Sequence, residues 1–269
     1  MNSSQTSVES QEFAGKTVIV TGGGYGIGKQ IALRFGRSGG NVVIAARSQA
    51  KLEEVAQELR NMGTNPLALT VDISKEDEVR SMVEAVVDRY SEFDVLVNNS
   101  AIAGPTAMVP DVDSTDWHQT VGINLSGTFF CCKHVSRVMR ESKKGNIVTI
   151  SSVAGRMGYP LRAPYAVTRW GVIGLSHTLA AELGPLGIRV NCVVPGPIEG
   201  ERSERVFVAR AEAENMEVDD VKQFFTKDIP IGRMPTEKEV ANCVVYLASD
   251  NSSGIHGQTI QVDGGFLMA

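Results

Sequence analysis

The chain has 269 residues, 42% of them hydrophobic and 21% charged, with 26 lysines and arginines against 31 aspartates and glutamates for a net charge of −5. A length like this suits one α/β domain that buries its core without staples, and the mild acidic excess argues against non-specific nucleic-acid binding. No apolar run approaches the ~20 residues of a membrane span, and the four cysteines, Cys131, Cys132, Cys192 and Cys243, include no C-x-x-C pair, so buried free thiols in a reducing cytoplasm are expected.

Residues 1–12 are polar, without the basic start and apolar core of a signal peptide, and are expected to form a disordered tail ahead of one domain over 13–269. Short β-branched runs follow at 17–21, 41–46, 66–71, 94–97, 146–151, 188–194 and 259–262. Most are continuously apolar, as in parallel strands covered on both faces. The stretches between them carry apolar residues at helical spacing, such as Leu52, Val55, Ala56 and Leu59. Seven strands separated by helices predict a single-domain, doubly wound α/β sheet, mostly parallel, with helices on both faces.

The first strand runs directly into Thr21-Gly22-Gly23-Gly24-Tyr25-Gly26-Ile27-Gly28, and a helical pattern (Ile31, Ala32, Phe35) follows at once. A pyrophosphate needs backbone N–H groups at close range, and a side chain on the turn would block it. The last glycine lets the helix pack on the sheet and aim the positive end of its dipole at the phosphates. A glycine triplet between a first strand and a first helix is therefore a dinucleotide signature of the Rossmann type, with Gly22, Gly24, Tyr25, Gly26, Ile27 and Gly28 as its expected contacts.

The second strand ends in Ala45-Ala46-Arg47-Ser48, with no acid for a ribose 2′-hydroxyl. Arg47, with Ser48 beside it, suits a 2′-phosphate through charge-assisted hydrogen bonds, which favours NADP over NAD; otherwise Arg47 is a solvated loop cation. Asp72 and Ile73 close the third strand toward the adenine, and Asn98 closes the fourth near the ribose. Between residues 200 and 228 no strand appears and charges are dense, which predicts a helical excursion at the carboxyl edge of the sheet, as a substrate lid or as a solvated surface hairpin.

From Lys16 to the C-terminus the chain resembles the short-chain dehydrogenase/reductases, in particular the 3-oxoacyl reductase-like members. The resemblance rests on Thr21-Gly22-x-x-x-Gly26-x-Gly28, Asn98-Asn99, Asn124, Ser152, Tyr165 and Asn191-x-x-x-Pro195-Gly196, in the right order and spacing. It implies hydride transfer between a nicotinamide and a carbonyl or secondary alcohol. Tyr165 would be the general acid/base, Ser152 the partner of the substrate oxygen, and Asn124 the anchor of a relay water. Pro195, Gly196 and Ile198 would join the cofactor contacts. The residues agree with these roles: a fixed cation at i+4 shares a helix face with Tyr165 and favours its phenolate.

That cation is the main departure from the family pattern, because Arg169 stands where the family has lysine. Arginine keeps the charge but carries a planar, bulkier fork, so cofactor binding is expected to survive and turnover to fall. Two further departures are Ser100-Ala101 after Asn98-Asn99, and Gly200 where many members have threonine. Two functions follow as expectations: a working NADP(H)-dependent carbonyl reductase or alcohol dehydrogenase, or a cofactor-binding protein of impaired catalysis acting as sensor or partner subunit.

The substrate side is expected to comprise residues 152–162, Ile102, Ala103 and the excursion. Arg162 or Arg202 could hold an anionic group on the substrate, or be solvated or paired with Glu199 or Glu201. The histidines are too scattered for a metal site. The apolar helices near 115–139 and 164–183 imply, by the same resemblance, a homodimer or homotetramer.

Overall fold

The computed structural model describes residues 11–268 and contains seven strands, β1 (Thr17–Thr21), β2 (Asn41–Ala46), β3 (Leu67–Thr70), β4 (Val95–Asn98), β5 (Gly145–Ile150), β6 (Ile188–Pro195) and β7 (Thr259–Val262). Every pairing between them is parallel, in the order β3-β2-β1-β4-β5-β6-β7. The sheet is thus wholly parallel where the sequence predicts a mostly parallel one. The predicted strands differ from the observed ones by a residue at several ends. Residues 1–10 of the predicted tail lie outside the described residues; Gln11 and Glu12 lead into Phe13, which is buried edge-on against Phe35 at 4.8 Å.

Helices α1 (Gly26–Arg37), α2 (Gln49–Asn61) and α3 (Glu76–Tyr90) connect the first strands. After β4 come α4 (Ser114–Val121), a π-helical turn at Gly122–Ser126 and α5 (Gly127–Ser142), which together form one continuous rod. Beyond β5 lie α6 (Ala163–Leu183), then α7 (Glu201–Glu214) and α8 (Val218–Thr226) after β6, and α9 (Glu237–Ala248) before β7. Strand residues alternate between two cores. Val18 and Val20 face α1, α2 and α9 through Ile31, Phe35, Leu52 and Val244. Ile19 faces the other side, with Val79, Val135 and Leu183. Burial on both faces explains the unbroken apolar strands.

The predicted excursion is α7 and α8, which carry a small core of their own. Phe207 and Phe225 stack at 5.6 Å, and Val221, Ile229 and Met234 complete it. Tyr159 packs on Phe225 at 6.1 Å, joining this unit to the sheet edge. Cys131, Cys132 and Cys192 are buried free thiols, and Cys243 is half-buried. His256 has a structural place: its Nδ1 accepts from the Val190 amide at 3.2 Å, and its Nε2 lies 2.9 Å from the Ala180 carbonyl. Among the described residues no helix is long and apolar enough to cross a membrane.

The strand order reverses between β1 and β4, each pairing the other while their chains continue to opposite halves of the sheet. The crevice outside the carboxyl ends at such a switch point is where ligands bind in this architecture. The glycine loop leaves β1 there, and residues 98–101 leave β4 beside it.

Candidate active site

The glycine loop is built for close approach. Gly22 and Gly26 sit at φ +67° and +58°, and a Cβ on Gly28 would collide with the Gly22 carbonyl oxygen. The Thr21 hydroxyl accepts the amides of Asn99 (3.1 Å) and Ser100 (3.2 Å), and the Asn99 amide donates to the Thr21 and Gly22 carbonyls. These bonds fix the loop against the end of β4. Ser100 and Ala101, where the family pattern differs, are accommodated in this clasp.

A cavity of about 410 Å³ opens beyond the loop. Of the residues singled out in the sequence, it brings together Gly22, Tyr25, Gly26, Ile27, Gly28, Ser152, Tyr165, Arg169, Pro195, Gly196 and Ile198. Gly24, Arg47, Ser48, Asp72, Ile73, Asn98 and Asn124 do not line it. Arg47 is exposed at the end of β2, Gly24 is buried against Lys51, and Ser48 caps α2 by accepting from the Lys51 amide. Burial pushes the Asp72 carboxyl up, but Ser74 hydrogen bonds and the Arg47 and Lys75 charges hold it below its usual value. Ile73 belongs to the core beside Gly127. Asn98 is buried with its amide 3.2 Å from the Cys132 sulfur, and its Oδ1 has no partner.

Asn124 sits in the π-helical turn. Its Oδ1 accepts from the Ile102 amide at 2.8 Å, and its Nδ2 donates to the Ile102 carbonyl (3.0 Å) and to Thr168 Oγ1 (3.2 Å). The side chain is therefore a clasp between the loop after β4 and α6.

Tyr165 and Arg169 lie one turn apart on α6, on one face as their i,i+4 spacing requires. The Arg169 guanidinium carbon is 4.7 Å from the Tyr165 ring centre, and its Nη1 donates to the Ile150 carbonyl at 2.9 Å; its Nε is buried without a partner. Two more arginines converge on the same ring, Arg162 at 5.3 Å and Arg202, from the start of α7, at 5.9 Å. Arg162 Nη2 is held by the Ala103 carbonyl at 2.6 Å, and Arg202 Nη1 by the Ala101 carbonyl at 3.3 Å. Neither arginine pairs with Glu199 or Glu201; among the described residues Glu201 is 3.6 Å from Arg205 instead.

These charges decide the chemistry of Tyr165. Burial pushes its hydroxyl up, but Arg169, Arg202, a hydrogen bond with Ser152 and Arg162 together bring it down to about 7. The phenol thus titrates near neutrality, where one group can both give and take a proton.

Glu237 is a site residue that the sequence did not reveal. It is the first residue of α9, lines the cavity, and places Oε1 3.3 Å from where a Gly26 Cβ would stand. Burial, with Glu201 adding to it and Lys29 opposing, raises its carboxyl above the usual value. Gly200 sits at φ +149°, a backbone conformation that strains any residue with a Cβ such as the family's threonine, and a Cβ there would also require the Glu237 carboxylate, 2.8 Å away, to shift.

The family described as enoyl-(acyl carrier protein) reductase matches residues 22–267. The chain is 37% identical over 254 residues to the 3-oxoacyl-(acyl-carrier-protein) reductase of Staphylococcus epidermidis, covering 94% of this chain and 99% of that protein. Among solved structures, an NAD⁺-bound xylitol dehydrogenase superposes with a TM-score of 0.92 at 31% identity, covering 94% of this chain and 100% of that one. A variant actinorhodin polyketide ketoreductase with NADPH superposes with a TM-score of 0.89 at 33% identity, covering 96% of this chain and 98% of that one.

Proposed function

Since the chain belongs to the short-chain dehydrogenase/reductase family, we propose that it transfers a hydride between NADP(H) and a small carbonyl or secondary alcohol compound, with Tyr165 as general acid/base. The observation that carries this reading is Tyr165 at the edge of the glycine-loop cavity, surrounded by Arg169, Arg162 and Arg202, whose charges draw its hydroxyl down to about 7. The glycine-rich turn between Gly22 and Gly28, with Gly22, Gly26 and Gly28 lining the cavity, fits a dinucleotide pyrophosphate. Arg47, exposed beyond β2 without an acid next to it in sequence, favours the 2′-phosphate of NADP over NAD. When bound, the cofactor supplies or accepts the hydride.

The protein's own residues handle the oxygen and the proton. In the reducing direction Tyr165 donates its proton to the carbonyl oxygen, which Ser152 also holds by a hydrogen bond. In the oxidising direction the Tyr165 phenolate takes the proton of the alcohol. Arg169 is the fixed charge that makes the phenolate accessible, and being an arginine it never surrenders that charge. Asn124 positions α6 against the loop that carries Ile102. The cavity's substrate wall is the α7–α8 unit, which acts as the lid. The exposed Trp117, Phe129, Val167 and Trp170 on α4, α5 and α6 suit pairing of like subunits in a dimer or tetramer.

A second reading, a cofactor-binding protein of impaired catalysis, draws on Arg169: its guanidinium is tied to the Ile150 carbonyl while its Nε is left unpaired. NADPH oxidation against a panel of carbonyl compounds, with Arg169→Lys beside the wild type, separates the two. Measurable wild-type turnover changed only modestly by lysine supports the working reductase. Turnover near zero that rises steeply with lysine supports the impaired protein.

A further inference from the structure

The reductase reading uses Arg162 and Arg202 only as charges beside Tyr165 and leaves their spare N–H donors without a role. Arg162 is 5% exposed, keeps an Nε with no partner among the described residues, and stands with Arg202 on the wall between the main cavity and a second one of about 300 Å³. Among the described residues the only charged ones lining that second cavity are Arg162, Arg202 and Arg205, with no carboxylate among its walls. Arg205 is partly neutralised by Glu201. Arg162 and Arg202 make no ion pair among the described residues, and each spends one N–H on a loop carbonyl, at Ala103 and Ala101. Both guanidinium groups are thereby held in place with donors to spare. Burying the Arg162 cation beside the half-buried Arg202 is costly unless an anion answers them. A single Tyr165 phenolate faces Arg162, Arg202 and Arg169 together, and with no carboxylate among the cavity's described walls a ligand anion is the remaining candidate to balance them.

On the premise of the reductase reading, we infer that the substrate is a 2-oxo or 3-oxo carboxylate with a short apolar chain, or the matching hydroxy acid, whose carboxylate bridges Arg162 and Arg202. The closeness of both cations to Tyr165 favours a short spacer. Both guanidinium carbons lie within 5.9 Å of the Tyr165 ring centre. A carboxylate in bidentate contact sits about 2.8 Å from their nitrogens, and the reacting oxygen must come within about 3 Å of the Tyr165 hydroxyl. A carbonyl bonded directly to the carboxylate, or separated from it by one carbon, suits cations this near the Tyr165 ring. Tyr159, Val206, Phe207 and Phe225 line the main cavity on the same side and provide the surface for the apolar chain. The acidic side chains of that cavity, Glu199, Glu201 and Glu237, gather instead around Gly200. The reaction balances as a two-electron reduction: a C–H bond forms at the oxo carbon from the hydride of NADPH, the C=O π pair moves onto oxygen, the oxygen takes the Tyr165 proton, and NADP⁺ is released. Arg202 belongs to α7, so the same contact would draw the lid onto the bound acid.

The inference departs from what the names of the similar reductases describe, since a 3-oxoacyl thioester has no carboxylate beside its ketone. The test compares 2-oxohexanoate and 3-oxohexanoate with their methyl esters and with the 3-oxohexanoyl thioester of N-acetylcysteamine, in wild type and Arg202→Gln. The acid-to-ester ratio of kcat/KM cancels any change in Tyr165 that both substrates feel. For one of the acids that ratio is expected to reach about 10-fold or more, as befits a charge-assisted hydrogen bond in a cavity, and to fall toward one in Arg202→Gln. Because Arg162 is buried and its replacement could unfold the chain, the half-buried Arg202 carries the test. Esters or the thioester reacting as well as both acids, or a ratio indifferent to Arg202, overturns the inference while leaving the reductase reading intact. If no carbonyl compound is reduced, the reductase reading fails. Calorimetric titration with hexanoate then decides the anion site: binding lost in Arg202→Gln keeps it, and no binding to wild type removes it.

Discussion

Replacing Arg169 with glutamine removes one full charge from beside Tyr165 and retains a group able to donate to the Ile150 carbonyl. The guanidinium carbon is 4.7 Å from the ring centre. At an effective dielectric of about 20, a pair of unit charges at that distance interacts by about 3.5 kcal/mol, equivalent to about 2.6 pH units. Water entering the vacated volume reduces this, while Arg162 and Arg202 continue to act, so the Tyr165 midpoint is expected to move from about 7 to about 9. Alcohol oxidation needs the phenolate, so in wild type it rises with pH and levels off above about 7; in the variant the rise is displaced upward. Carbonyl reduction needs the phenol, so it falls above about 7 in wild type and persists toward about 9 in the variant. The assay is the pH dependence of kcat/KM in both directions, with an ultraviolet phenolate titration from which Tyr165→Phe is subtracted. Arg169→Lys, which keeps the charge, should leave the midpoint near its wild-type value. A midpoint unmoved in Arg169→Gln, or a wild-type Tyr165 that titrates at the ordinary tyrosine value of about 10, refutes the argument.

Arg47→Ala should weaken NADPH binding by about 10-fold or more while leaving NADH nearly untouched, as read by cofactor fluorescence titration; equal effects on both cofactors would remove Arg47 from the 2′-phosphate. Glu237→Gln should tighten NADP⁺ binding by about 3- to 10-fold at pH 8, because a carboxylate that faces the glycine loop repels phosphate. Wild-type affinity should also improve on acidification toward the raised Glu237 midpoint, and the glutamine variant should lose that dependence. Gly28→Ala forces a Cβ into the Gly22 carbonyl and should cost about 2–3 kcal/mol of stability in denaturant unfolding, together with cofactor binding.

The parts of the site that are contiguous in the chain are legible in the sequence itself. The loop from Gly22 to Gly28 declares itself because its glycines stand between a strand and a helix, and Tyr165 with Arg169 because i,i+4 spacing puts them on one face. The excursion near 200–228 was legible as charge density without strands, although nothing in that pattern foretold that Phe207 and Phe225 would stack into a separate small core. Other features are made by the fold itself. Arg202 reaches the Tyr165 ring because α7 leaves the end of β6 over the same crevice, and no local periodicity encodes that meeting. Glu237 joins Gly26 and Gly200 only when α9 packs along α1. Asn124 was singled out from the family resemblance, but its clasp on Ile102 and Thr168 depends on a π-helical turn that its neighbours Gly122 and Gly127 do not announce.

Transfer of isotope tests the central claim most directly. Incubated with NADPH carrying deuterium at both hydrogens of the nicotinamide C4 and with a carbonyl substrate, the protein should yield an alcohol carrying deuterium on its carbinol carbon. Tyr165→Phe should slow that product by about 10²- to 10⁴-fold while still binding NADPH with wild-type affinity. Product without deuterium, or a phenylalanine variant as fast as wild type, would contradict hydride transfer governed by Tyr165.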